Sequence, residues 1–133
     1  MKNSIGKFMT SKMSYIPQSN TAQEAALRMD RDSASVLIVI DSKETPVGVI
    51  THRDLMRSTC VEDVPCNSIL VRDIMSTPVV TIDPYSPIEA AADVMKQNNV
   101  RHLLVVESDN PSKPLGILSA RDFAYYIENE SEQ

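Results

Sequence analysis

Sliding the sequence over itself by 66 positions lays NTAQEAALRM at 20–29 over SPIEAAADVM at 86–95, and a later segment, GVITHRDL at 48–55, recurs as GILSARDF at 116–123. A chain of 133 residues that repeats itself once must build the same small unit twice. Units of about 55 residues bury little apolar surface alone, so a duplicated sequence of this length predicts two similar halves packed as one module.

The two copies share one order of elements. Apolar residues fall at 22, 25, 26 and 29 and again at 88, 91, 92 and 95, the stripe of a half-buried helix. Asn20 with Gln23, and Ser86 with Glu89, have the spacing of a helix cap and its partner, and Pro87 suits the first helical position. Continuous β-branched runs follow, Val36 to Ile40 and Leu103 to Val106, which read as buried strands. Polar turns at 41–46 and 107–114 lead to second strands, Val47 to Ile50 and Leu115 to Leu118. The second turn is two residues longer, which shifts the offset of the repeat from 66 to 68. Helices are then expected from His52 and Ala120. Val79 to Ile82 reads as a further short strand ahead of the second copy's first helix, with Met13 to Ile16 as its weaker counterpart. The fold class is α/β, with two pseudo-symmetric strand–helix–strand–strand–helix repeats at 8–58 and 71–128, a linker at 59–70, and termini 1–7 and 129–133 outside them.

Several function classes are excluded early. A formal charge of −5 lacks the basic face on which nonspecific nucleic-acid binding draws. No apolar run approaches the roughly 18 residues of a membrane helix, and the first residues hold no secretory signal, so a cytoplasmic location is expected. Cys60 and Cys66 are the only cysteines. They fall short of the four ligands of structural zinc, so they read as two reduced linker thiols, and no metal site is expected.

The repeated turn carries the chemistry. Thr51 and Asp54, like Ser119 and Asp122, have the spacing of a capping box, which accounts for all four without a ligand. It leaves Arg53 and Arg121 unexplained, because a cation in the first helical turn faces the positive end of the helix dipole. Two such arginines in an acidic protein point to a visiting anion, for which free N–H groups and a guanidinium form a ready phosphate site.

The tandem glycine, two apolar residues, hydroxyl, two residues and aspartate, set in this element order, resembles a pair of CBS domains, the cystathionine β-synthase repeat or Bateman module. The resemblance runs from about Phe8 to Glu128, and VRDIMSTPVVTIDPYSPIEAAADVMKQNNVRHLLVV in the second copy carries it best. It implies a regulatory module that binds adenosine-containing ligands in clefts between paired repeats. By position, Asp54 and Asp122 would hold ribose diols, with Thr51 and Ser119 beside them. The strand start Thr77, Pro78, Val79 and Val80 would offer backbone groups to an adenine edge, as Ser14, Tyr15 and Ile16 would in the first copy. His52, Arg53 and Arg121 fall where nucleotide-binding members contact phosphate, and the family's pairing would bring these three near one another. Arg101 and His102 resemble a basic pair with the same task. The first copy departs from the pattern, with Ser35 and Val36 in place of that pair and Ser11 and Lys12 in place of Thr77 and Pro78.

With two histidines, no paired nucleophile and base and no phosphate-binding glycine loop, no catalytic constellation emerges. The expected function is a stand-alone sensor, not an enzyme, without a catalytic cofactor. Its ligand would be an adenine nucleotide (AMP, ADP or ATP), and its partners a second copy of the chain and an effector protein. The alternatives are a ligand-free protein-interaction adaptor and a sensor of S-adenosylmethionine or NAD-type ligands.

Overall fold

A computed structural model describes residues 4–124; the expected repeat end at 125–128 and the segment 129–133 lie outside them. The chain divides into two compact units. One is continuous, Met13–Val79; the other joins the residues up to Lys12 with those from Val80 onward. Residues 4–12 therefore pack with the second repeat, and the segment that opens the second repeat packs with the first.

In the continuous unit, β1 (Tyr15–Pro17) lies parallel to β2 (Val36–Ile40), which pairs antiparallel with β3 (Pro46–Thr51). Helix α1 (Ala22–Asp32) connects β1 to β2, as a parallel crossover requires. The other unit repeats this plan with β4 (Thr81–Ile82), α4 (Ile88–Asn98), β5 (His102–Val105) and β6 (Gly116–Ser119), after which residues 120–124 are helical. Ala22, Ala25 and Met29 are buried on α1, and Ile88, Ala91 and Met95 on α4. Ala26 is exposed and Ala92 only half-buried, so the buried stripe is narrower than the sequence pattern implies. Ile16, Leu37, Val39 and Ile50 complete one core; Ile82, Leu103, Val105 and Leu118 complete the other.

Both helix caps stand one residue later than the sequence spacing suggests. Thr21, not Asn20, caps α1: its hydroxyl accepts from Glu24 N–H at 3.1 Å, and its own N–H donates to Glu24 Oε1 at 3.0 Å. The Thr21 N–H and then its hydroxyl, which also donates to Oε1 at 3.1 Å, hold the Glu24 carboxyl below its ordinary pKa. At α4 the cap is Pro87, which makes no side-chain cap bond and is extended (φ −68°, ψ 149°) instead of occupying the first helical position. The reason is the same in both copies. Val71 N–H donates to the Asn20 carbonyl at 2.8 Å and Ile5 N–H to the Ser86 carbonyl at 2.9 Å, so the chain is still extended there.

Those two bonds belong to a matched pair of dockings. Beyond α2 (His52–Met56) the helical path continues through a π turn, Arg57–Val61, into the segment expected as linker. After a 3-10 turn at Cys66–Ser68 comes α3 (Val71–Ile74). Ser76 then exchanges backbone hydrogen bonds with Val49, at 2.8 and 3.1 Å. In the other unit a 3-10 turn, Ile5–Lys7, precedes Thr10, which exchanges bonds with Ile117 at 2.8 and 2.9 Å. Each contact needs a glycine for space alone, since neither has a positive φ. A Cβ on Gly48 would stand 2.8 Å from the Ser76 carbonyl oxygen and 2.9 Å from Met75 Sδ. On Gly116 it would stand 2.7 Å from Met9 Sδ and 2.8 Å from the Thr10 carbonyl oxygen.

Gly48→Ala and Gly116→Ala should each lower stability by about 1–3 kcal/mol, the usual effect of overpacking. Gly6→Ala, whose nearest Cβ contact would be an ordinary 3.4 Å, should stay within about 0.5 kcal/mol of the parent. Denaturant melts of the three variants test this, and equal stability of all three would refute the spatial argument.

Candidate functional site

The repeated turn forms at the end of the last strand in both units, and its geometry is the same in each. Thr51 caps α2: its N–H donates to Asp54 Oδ2 at 2.9 Å, its hydroxyl lies 3.2 Å from the same oxygen, and it accepts from Asp54 N–H at 3.3 Å. Ser119 repeats the arrangement with Asp122 at 2.9, 3.1 and 3.2 Å. The capping boxes expected from spacing are therefore both closed. Each employs a single carboxylate oxygen. Asp122 Oδ1 has no partner among the described residues, and Asp54 Oδ1 only a long 3.4 Å bond from the Ser76 hydroxyl. An anionic oxygen pointing away from the box can still accept from a ligand hydroxyl.

Arg53 and Arg121 follow their caps by two residues, are exposed, and enter no ion pair among the described residues. Their place in the first helical turn sets each guanidinium at the positive end of the helix dipole, with Asp54 or Asp122 as the acidic residue of the same turn.

The surroundings of the two boxes differ. In the second repeat His102 pairs with Ser119 across β5 and β6, and Ala120 N–H donates to the Arg101 carbonyl at 2.8 Å. The basic pair singled out in the sequence thus stands beside the box of Ser119 and Asp122. In the first repeat Val36 occupies the corresponding register position opposite Thr51. There Ser35 and His52 share a groove of about 390 Å³ with Met29, Asp30 and Leu55 between the end of α1 and the start of α2.

The strand-start residues fall in different places. Thr77, Pro78 and Val79 belong to the continuous unit, with a cis bond between Thr77 and Pro78, whereas Val80 belongs to the other. Backbone direction separates these residues further. Ile38 N–H donates to the Ser14 carbonyl and Leu104 N–H to the Val80 carbonyl, both at 2.9 Å. Strand backbone groups alternate in direction, so Ser14, Ile16 and Val80 turn theirs towards the neighbouring strand. Tyr15 and Thr81 turn theirs to the outer edge. Ile16 also buries its side chain in the core. Two participants escaped the sequence reading: Ser76, through its bond to Asp54, and Arg28, whose Nη1 donates to the Tyr15 carbonyl at 2.7 Å. For Tyr15 and Thr81, strand alternation was the available signal; for Arg28 the signal was a cation on α1 where the other copy's helix carries Val94.

Among the described residues no helix is long and apolar enough to cross a membrane. An uncharacterized protein of Methanopyrus kandleri is 30% identical over 102 residues, which are 77% of this chain; the chain spans about half of that relative, 51%. A solved structure of an uncharacterized conserved protein from Pyrococcus horikoshii superposes with a TM-score of 0.81 at 28% identity, covering 96% of this chain and 93% of that one. A CBS domain protein from Pyrobaculum aerophilum, complexed with AMP, superposes with a TM-score of 0.77 at 21% identity, covering 96% and 98%. The family model of the CBS domain matches residues 5–59 and again residues 71–129. With two capped turns, two three-stranded sheets and two matched segments, the chain belongs to the CBS domain family and carries the domain as a tandem pair.

Proposed function

We propose that this chain is a non-catalytic regulatory module that binds an adenine nucleotide and passes its occupancy to an effector protein. The observation that carries the reading is the doubled box. Each closes with one carboxylate oxygen, keeps the other turned away from it, and is followed by an exposed arginine without an ion pair. A capping function alone explains neither the second oxygen nor the cation. A nucleotide matches them: ribose hydroxyls donate to Oδ1, phosphate meets the guanidinium, and the base pairs its edge with strand backbone. The AMP complex of a protein with the same fold supports this ligand class. Arg101 and His102 beside the second box add a guanidinium and an imidazole for phosphate on that side.

AMP should bind at least about tenfold more tightly than adenosine, since a hydrogen bond to a charged group contributes roughly 1.5–3 kcal/mol. The ratio should shrink as salt screens the phosphate. Titration calorimetry in low and high salt reads both effects, and equal affinities, or a preference for cationic S-adenosylmethionine, would exclude the phosphate contact.

Asp122 should matter beyond its cap. Asp122→Ala and Ser119→Ala both break the box and should each lose roughly 0.5–2 kcal/mol of stability. Only Asp122→Ala should also weaken AMP binding by about tenfold or more, because it alone removes the acceptor of a charged hydrogen bond. If AMP affinity falls equally in the two variants, the carboxylate acts only as a cap.

The module is also proposed to work as a homodimer. Leu27 on α1 is 63% exposed and Met56 on α2 58% exposed, and large apolar side chains on helix faces favour a covering partner. Closed twofold pairs are the commonest soluble assembly. Light scattering should give a mass near twice the chain's 14.8 kDa, and Leu27→Glu should shift it towards the single chain.

A further inference from the structure

The two sheets present equivalent outer edges, and one of them is filled. β1 and β4 are the terminal strands of their sheets. On β1 the inward bonds run from Ile38 N–H to the Ser14 carbonyl and from Gln18 N–H to the Ile40 carbonyl, both at 2.9 Å. On β4 they run from Leu104 to Val80 at 2.9 Å and from Val106 to Ile82 at 3.0 Å. Tyr15 and Thr81 are therefore the residues whose N–H and C=O face outward. Such a pair matches an adenine edge, whose amino group donates while the neighbouring ring nitrogen accepts.

At Tyr15 that match is spoiled. Arg28, half-buried on α1, donates Nη1 to the Tyr15 carbonyl at 2.7 Å, a short charge-assisted bond. A guanidinium holds only donors, so an adenine amino group arriving there would meet N–H against N–H. The counterpart of Arg28 in the second repeat is Val94, which has no donor. The Thr81 carbonyl has no hydrogen-bond partner among the described residues. The repeat that holds Arg28 is also the one with Ser35 and Val36 in place of Arg101 and His102.

We propose that Arg28 closes the first repeat's strand edge to an adenine base, so that the chain takes one nucleotide, at the edge led by Thr81. This rests on the nucleotide reading above. Arg28 is then a specificity residue that makes two similar repeats unequal.

Calorimetry with AMP on the full chain should give one nucleotide per chain. Arg28→Val, which installs the residue of the second repeat, should raise this to two. Amide NMR of the parent chain during the same titration should shift Thr81 and leave Tyr15 unmoved, which decides the matter even if the variant does not fold. Two nucleotides on the parent chain, a folded Arg28→Val that still takes one, or a shift at Tyr15 would each overturn the inference while leaving the nucleotide reading intact. No AMP binding by either protein would overturn the nucleotide reading, and this inference with it.

Discussion

The approach of one backbone to another at two glycines is the constraint on which the rest of this structure depends. Ser76 lies against Gly48 and Thr10 against Gly116 so closely that a single methyl group would collide with a carbonyl oxygen and a methionine sulfur. Reciprocal hydrogen bonds to Val49 and Ile117 fix the dockings. They fix β3 and β6 in turn, and those strands deliver the caps Thr51 and Ser119. The Ser76 hydroxyl reaches Asp54 because of this docking, so packing and the candidate site share one cause.

Much of this was legible in the sequence because a duplicated pattern is read twice. The runs from Val36 and Leu103 were recognisable as buried strands by their β-branching and length. The boxes at Thr51 and Ser119 were recognisable by spacing, since a cap needs its partner three residues on. What stayed hidden depends on contacts distant in sequence. The caps moved from Asn20 to Thr21 and from Ser86 to Pro87 because residues 71 and 5 hold the preceding carbonyls. A repeat tells which segments are alike but not which segments pack together. Hence nothing in the order of elements revealed that residues 5–12 complete the second repeat's unit. The role of Arg28 was hidden for a similar reason: it exists only once α1 has been laid across β1.

The two repeats illustrate how a duplicated unit diverges without losing its frame. The glycine, the cap and the acid persist in both, as do the αL ends of α1 and α4 at Ser33 and Asn99. These positions obey backbone geometry, which both copies must satisfy. Differences gather at exposed or half-buried positions: Arg28 against Val94, Ser35 against Arg101, Val36 against His102. Such positions change chemistry at little structural cost, so a second copy can acquire a different task while the first supplies rigidity.

The division of the chain also imposes an order in time. Residues 13–79 form a contiguous unit, and synthesis delivers all of it before β5 and β6 exist. The other unit brackets it, with Thr10 bonded to Ile117, so the opening segment leaves the ribosome long before the strand that receives it. Domains fold as they emerge, at roughly 5–20 residues per second. For several seconds, therefore, Met9 and Thr10 lack the strand that receives them. That interval is when a chaperone or the matching segment of another nascent chain has access to them, and it closes only when Gly116 arrives.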